Sequence, residues 1–349
     1  MEPVVIALAC DERYFPGLYC AVASALSYFN SARKLEVKVL DGGLSPSSRD
    51  TLFRLTDRVG GDVTLDFVTA DASVFDAATL GPGQSHMTYF RILLLQLVNV
   101  PRLIYLDCDT LVFRDLSPLF DLKLAPGKVL SAARDSETLS LSQDSPVLAK
   151  AMKLPMEGAY FNCGVMLMDL DQLREQHFFE SAVDFLNRRN GKYRFWDQSA
   201  FNFLLHRRID ELPEHWNRAA WRFNAQQTND LDCVLHYTTS APWLRRRPGP
   251  AQELFERFAV DAGLPVNRRS SGLQELWRNA LAPLRALAFP IAALCYRLVG
   301  KNDKSAAYQR IACYWLDYIR NTPRRRQLYR QRNEEIGRMK FALRASLLS

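Results

Sequence analysis

The sequence predicts an α/β fold with an open, mostly parallel sheet covered by helices on both faces, and three observations lead there. Strand-like and helix-like segments alternate through the first 243 residues at β-α-β spacing. The first apolar run, Val4-Val5-Ile6-Ala7-Leu8-Ala9-Cys10, has no polar alternation, as expected of a strand buried on both faces. Helix start and stop residues punctuate the segments between such runs.

Taken in order, residues 16–29 follow the first strand as a helix with Leu18, Val22, Ala25 and Leu26 on one face. Residues 35–40 alternate as a second strand, ended by Asp41-Gly42-Gly43. Ser45-Pro46 supplies an N-cap hydroxyl and a first-turn proline for a helix that runs through residues 51–59 and closes at Gly60-Gly61. Residues 63–68 form a third strand, 89–98 an apolar helix and 102–106 a fourth strand. In such sheets ligands sit outside the carboxyl ends of the strands. Neither G-x-G-x-x-G after the first strand nor G-x-x-x-x-G-K-[ST] anywhere is present, which argues against dinucleotide binding by the glycine turn and against a P-loop.

Composition separates the chain into two parts. The 349 residues carry a net charge of +7. Residues 244–349 hold 21 Lys and Arg against 8 Asp and Glu, a net of +13, so residues 1–243 carry 24 against 30, a net of −6. The basic, helix-breaking Arg245-Arg246-Arg247-Pro248-Gly249-Pro250 marks the expected boundary between a body (1–243) and a basic helical region (244–349). Seven Cys without a Cys-x-x-Cys read as reduced, buried thiols, and five scattered His give no zinc-ligand spacing. The charge-free apolar segment 286–296 falls well short of the roughly 20 residues that span a bilayer. No basic region precedes the first apolar run, so the expectation is a cytosolic chain without a secretory signal.

The strongest local feature is Arg102-Leu103-Ile104-Tyr105-Leu106-Asp107-Cys108-Asp109, an apolar strand running into two carboxylates. In extended chain, residues two apart point to one side, roughly 6–7 Å from each other. Two carboxylates so placed either hold a hard divalent cation that bridges a substrate diphosphate, or are simply solvated at a strand end. Three later features have two readings as well. Asn162, at the mouth of the apolar strand Tyr160-Phe161-Asn162-Cys163-Gly164-Val165-Met166-Leu167-Met168-Asp169, is a site residue or a turn residue. Asp197, beside Gln198 in Trp196-Asp197-Gln198-Ser199, is a site residue or an N-cap, and His236, after Cys233-Val234-Leu235, is a ligand or a satisfied strand-end histidine.

In their order and approximate spacing these features resemble the family 8 glycosyltransferases, above all the bacterial lipopolysaccharide galactosyl- and glucosyltransferases, over residues 4–243. The resemblance implies the A-type nucleotide-sugar fold, a Rossmann-like mostly parallel sheet, and a retaining transfer of galactose or glucose from a UDP-sugar to a lipopolysaccharide or other glycan or glycolipid acceptor. By position it implies Asp107, Asp109 and His236 as ligands of a Mn²⁺ (or Mg²⁺) on the donor diphosphate. Ala9, Asp11 and Tyr14 match the nucleotide pocket, with Asp11 reading uracil and Tyr14 stacking; Cys108, between the two acids, falls in the same donor-binding set. Thr88 and Arg91 match the helix lining the donor sugar, and Asn162, Asp197 and Gln198 match residues around the transferred hexose, with Gln198 nearest the reacting carbon. A Gln is a poor nucleophile, so a front-face path with Gln198 and Asp197 stabilising an oxocarbenium-like state is the expected chemistry.

Two departures from the family stand out. Its end loop carries a Gly and a Lys between the His and Pro-Trp, and here the loop is Tyr237-Thr238-Thr239-Ser240-Ala241. Thr and Ser hydroxyls, or Arg245-Arg246-Arg247 just downstream, are the candidates to replace that Lys on the diphosphate. The nucleotide loop reads Glu12-Arg13 where an Asn commonly precedes the Tyr.

Beyond residue 243, Trp277, Leu281, Leu284, Ala288, Ile291, Cys295 and Leu298 form one apolar stripe flanked by Arg278, Arg285 and Arg297, with kinks expected at Pro283 and Pro290. A second helical region covers 306–320, followed by Arg324-Arg325-Arg326. The stripe fits either the anionic cytoplasmic face of an inner membrane, which the resemblance implies, or packing on the body. Nucleic acid is not expected, since no recognised motif accompanies the arginines. The competing class is a non-catalytic binding protein whose basic tail holds an acidic polymer or nucleic acid.

Overall fold

The computed structural model describes residues 1–71, 73–75, 86–188, 192–223, 231–238, 241–244 and 250–264, with nine further residues between 284 and 298. Ten strands are present among them: β1 (Val4–Cys10), β2 (Leu35–Asp41), β3 (Val63–Thr69), β4 (Arg102–Leu106), β5 (Thr110–Val112), β6 (Leu130–Arg134), β7 (Phe161–Asp169), β8 (Ile209–Leu212), β9 (Arg218–Ala219) and β10 (Val234–His236). Seven form the central sheet in the order β3-β2-β1-β4-β7-β6-β8, and β5-β10-β9 form a small second sheet. The expected α/β fold with a mostly parallel sheet is what the chain adopts. Pairings β3–β2, β2–β1, β1–β4 and β6–β8 are parallel, whereas β7 runs antiparallel to both β4 and β6.

β1 lies inside this sheet and is apolar on both faces for the expected reason. Val4, Ile6 and Leu8 are fully buried on one side, and Val5 and Ala7 are as deeply covered on the other. The helix Phe15–Tyr28 begins one residue before the predicted segment. It is buried all round from Gly17 to Leu26 rather than along one stripe. Its outer side is covered because the backbone N–H of Val112 in β5 donates to Ser24 Oγ and the Tyr19 hydroxyl donates to the carbonyl of Ala262. The helix Pro46–Val59 starts as its sequence dictates: Ser48 N donates to the Ser45 hydroxyl, and Gly60 ends it with φ of +63°, a left-handed conformation open to glycine.

The apolar segment 89–98 resolves into a 3-10 turn, His86–Tyr89, followed by the helix Phe90–Leu97. A helix that the sequence reading did not assign, Pro250–Asp261, lies just past the basic stretch and docks on the body. Phe255 packs against Trp243 and Tyr237, Phe258 against Phe113, and the Tyr237 hydroxyl donates to the Ala251 carbonyl. Of the apolar stripe, Leu284, Ala288, Ile291, Cys295 and Leu298 are described; all are helical and exposed, as is Pro290. Trp277, Leu281, Pro283, the three flanking arginines, the 306–320 region and Arg324-Arg325-Arg326 lie outside the described residues, as does Arg245-Arg246-Arg247. No helix among the described residues is long and apolar enough to cross a membrane.

Candidate active site

Asp107 and Asp109 stand just beyond the carboxyl end of β4, where the chain turns into β5. The turn is fixed by backbone: Asp107 N donates to the Gly164 carbonyl on β7, and the Thr110 hydroxyl donates to the Asp107 carbonyl. His236 reaches the same spot from the small sheet. In the β5–β10 ladder His236 lies opposite Thr110, and Tyr237 N donates to the Asp109 carbonyl. His236 Nε2 thus comes within 3.2 Å of Asp109 Oδ1 and 3.7 Å of Asp107 Oδ2.

These three atoms suit a hard divalent cation. Ligand bonds of about 2.1 Å at right angles put neighbouring donors about 3 Å apart, and two carboxylate oxygens with one imidazole nitrogen form an appropriate donor set. Gly164 makes room for the arrangement, since a Cβ there would run into His236 Cε1 and fall 2.7 Å from Nδ1 and 2.8 Å from Asp107 Oδ2. Burial pushes the His236 imidazole down, but the neighbouring Asp109 and Asp107 carboxylates outweigh it and hold its pKa above the ordinary value. The cluster attracts positive charge in the form of either a proton or a metal.

The other oxygen of Asp107 faces away from this cluster. Asp107 Oδ1 takes the Tyr105 hydroxyl at 2.9 Å and Arg91 Nη2 at 2.9 Å. Arg91, on the first turn of the helix Phe90–Leu97, lies over the Tyr105 ring and also meets Asp197 Oδ2 through Nε at 2.6 Å and the Cys163 carbonyl through Nη1 at 2.5 Å. Asp197 Oδ1 accepts from the Thr88 hydroxyl at 2.6 Å. Burial opposes the charge on Arg91, yet the two carboxylates keep its pKa well above its ordinary value, so it remains a fixed cation between them.

Asp197 and Gln198 open the helix Trp196–Leu204, immediately after Trp196, whose φ of +49° is left-handed for a non-glycine residue. The Gln198 amide is held at both ends. Its Oε1 accepts from Cys163 N at 3.0 Å, and its Nε2 donates to Asp135 Oδ2 at 3.2 Å. Asn162 Nδ2 donates to the same Asp135 oxygen at 3.1 Å, while Asp135 Oδ1 takes the N–H groups of Glu137 and Thr138. A register shift between Ala132 and Arg134, where β6 pairs with β7, accompanies this mouth.

On the other side of Asp107 and Asp109 lies a second, contiguous pocket lined by Ala9, Asp11, Arg13, Tyr14 and Cys108. Asp11 Oδ1 accepts from Tyr14 N, which shapes the loop. The Tyr14 ring meets the edge of Trp243 at 5.5 Å, and Trp243 Nε1 donates to the Arg13 carbonyl at 3.2 Å. The Pro-Trp end therefore clamps the loop that carries Tyr14. Glu12 faces out of the pocket: its carboxylate accepts from Ser45 N and from the Ser45 and Ser48 hydroxyls at the start of the helix Pro46–Val59. The Cys108 thiol donates to the Ala9 carbonyl.

The structure thus gathers the residues singled out from sequence around two joined pockets. Ala9, Asp11, Tyr14 and Cys108 line one; Asn162, Asp197, Gln198 and His236 line the other; Thr88, Arg91, Asp107 and Asp109 form the shared wall. Thr238, of the end loop, also lines the pocket of Asn162 and Gln198, while Thr239 and Ser240 lie outside the described residues. Three contributors went unassigned in the sequence. Asp135 had a signal, since it follows the apolar run Val129-Leu130-Ser131-Ala132-Ala133 much as Asp107 follows β4. Tyr105 and Asn217, which bonds both Asn162 and His236, carry no local signal.

Known proteins resemble this chain in sequence and in fold. The profile of the family described as Glycosyl transferase family 8 matches residues 5–247. General stress protein A of Bacillus subtilis (strain 168) is 29% identical over 276 residues, covering 74% of this chain and 93% of that protein. Lipopolysaccharide 1,2-glucosyltransferase of Escherichia coli (strain K12) is 30% identical over 172 residues, which are 46% of this chain and 49% of that protein. The solved structure of the galactosyltransferase LgtC with donor and acceptor sugar analogs is similar with a TM-score of 0.62 at 22% identity, over 74% of this chain and 95% of that one, a likeness of fold.

Proposed function

Because this chain belongs to glycosyl transferase family 8, we propose that it is a metal-dependent, retaining hexosyltransferase moving galactose or glucose from a UDP-sugar to a lipopolysaccharide or other surface-glycan acceptor. The observation that carries the reading is the Asp107, Asp109 and His236 cluster on the wall between two joined pockets. A Mn²⁺ or Mg²⁺ held by those three side chains supplies a Lewis acid for the departing nucleoside diphosphate.

The chain's own groups account for the rest. Asp11 and Tyr14 take the uracil end of the donor, with Ala9 and Cys108 beside them and Trp243 holding the loop. Asp197 and Arg91 form a fixed pair of opposite charges under the hexose, and Thr88 fixes one oxygen of Asp197. Gln198 is anchored by Cys163 N and Asp135, which suits an amide that stabilises developing positive charge from a set position better than one that swings in to attack. Configuration is then retained by a front-face path, in which the acceptor hydroxyl gives its proton to the departing phosphate. The acceptor enters beside Ser136, Glu137 and Thr138, which rim the hexose-side pocket.

The exposed apolar positions of the 284–298 segment, in a region of net positive charge, support docking on an anionic cytoplasmic membrane surface. Release of UDP from UDP-galactose or UDP-glucose tests the assignment. Turnover that requires Mn²⁺ or Mg²⁺ and disappears in an Asp107→Ala/Asp109→Ala double variant is expected, and metal-independent turnover in that variant refutes it.

A further inference from the structure

Asn217 sits at the end of the 3-10 turn Glu214–Trp216 and directly precedes β9, whose Ala219 pairs with His236 of β10. It is buried, and both ends of its amide are engaged: Nδ2 with Asn162 Oδ1 at 2.9 Å and Oδ1 with His236 Nδ1 at 2.9 Å. The direction of these bonds follows from the backbone. Gly164 N can only donate, and it lies 3.0 Å from the Asn162 side chain, so the atom it meets is the carbonyl oxygen. The Asn217 group facing that oxygen must then be the NH₂, and the Asn217 oxygen faces His236. An oxygen without a proton needs a donor, so His236 Nδ1 carries the hydrogen, and Nε2 is the nitrogen directed at Asp107 and Asp109, where its lone pair is available to a metal cation.

We infer that Asn217 is a positioning residue that fixes His236 as the Nδ1–H tautomer and ties the proposed metal cluster to Asn162 in the hexose-side pocket. The inference rests on the proposed metal role of His236. An acceptor bonded to the far nitrogen orients a ligating imidazole and raises its basicity. The relay does not stop at Asn162, because Asn162 Nδ2 and Gln198 Nε2 both donate to Asp135 Oδ2. The imidazole and the Gln198 amide are therefore ordered by one chain of hydrogen bonds ending on a carboxylate.

Two variants separate the two arms of Asn217. Asn217→Leu removes both bonds. Asn217→Asp still accepts from Nδ1–H but cannot donate to Asn162. Mn²⁺ affinity is read from the free-ion EPR signal without any sugar nucleotide, and the tautomer from long-range ¹H–¹⁵N spectra of the histidine ring in the Mg²⁺ form. The expected results are an Nδ1–H ring in the unaltered protein, Mn²⁺ affinity weakened about 10- to 100-fold in Asn217→Leu, and affinity kept in Asn217→Asp while its kcat falls. An Nε2–H ring, or Asn217→Leu binding Mn²⁺ as tightly as the unaltered protein while His236→Ala binds it weakly, overturns the inference. If His236→Ala itself leaves Mn²⁺ binding intact, the metal assignment has failed instead. Should Asn217→Leu not fold, Asn217→Asp decides alone: lost Mn²⁺ affinity, or unaltered kcat, overturns the role of Asn217.

Discussion

Gly164 and His236 share one volume: the imidazole occupies the space that any β-carbon on Gly164 would need, between β7 and Asp107. Glycine is required here by close approach, since the neighbours include a ring and a carboxylate held by other bonds. Gly164→Ala is predicted to displace His236 and weaken Mn²⁺ binding about 10- to 100-fold, as loss of ligand orientation does elsewhere. Titration of the purified variant with Mn²⁺ checks this, and thermal melting without metal shows whether the fold has also suffered.

Arg91 bridges Asp107 and Asp197, and its fork meets each through a different nitrogen. Arg91→Met would strand two carboxylates around an apolar side chain. Removing one partner from a buried charge pair costs about 3–5 kcal/mol, so the variant is predicted to lose that much stability in denaturant titration and to lose transfer activity. Arg91→Lys keeps the charge but not the fork, and is predicted to recover stability more than turnover.

Trp243 meets the donor side through the Tyr14 loop. Its edge-to-face contact with Tyr14 is of a kind worth about 0.5–1.5 kcal/mol, so Trp243→Ala is predicted to raise the donor KM about two- to tenfold with kcat little changed. Gly17→Ala should act in the same direction, because a Cβ there would collide with the Trp243 ring and lie 2.6 Å from the Cys108 carbonyl. Steady-state kinetics with varied donor distinguishes this from a lesion at the reacting carbon, which would lower kcat.

Glu12 predicts a pH dependence outside the metal cluster. Partial burial pushes its carboxyl up, but the hydrogen bonds from Ser45 N and from the Ser48 and Ser45 hydroxyls outweigh burial and hold it below the ordinary 4.5. A carboxyl depressed in the folded state stabilises that state above the unfolded pKa, and the contribution is lost as pH falls through the folded value. Glu12→Gln should therefore be less stable than the unaltered protein at neutral pH, with the gap closing as the solution is acidified below about pH 4.5. Denaturant midpoints of both proteins across that range give the comparison.

The parts legible in the sequence are those where a strand announces its own end. The apolar run into Asp107 and Asp109, the mouth of β7 at Asn162 and the helix start at Asp197 each sit where local pattern and site coincide. What pattern could not give is how distant strands pair. The antiparallel insertion of β7 between β4 and β6, and the pairing of β10 with β5 that delivers His236 to Asp109, depend on contacts between segments at least 27 residues apart. The round-the-clock burial of Phe15–Tyr28 was hidden for the same reason, because its outer cover comes from β5 and from the Pro250–Asp261 helix. Asn217 was invisible because its role is set by two side chains 55 and 19 residues away.

The most direct test of the metal cluster is an anomalous-scattering map from crystals grown with Mn²⁺ and UDP. The account predicts one strong peak within about 2.1–2.3 Å of Asp107 Oδ2, Asp109 Oδ1 and His236 Nε2. A peak away from those three atoms, or nucleotide bound in the joined pockets with no anomalous signal beside it, would contradict it.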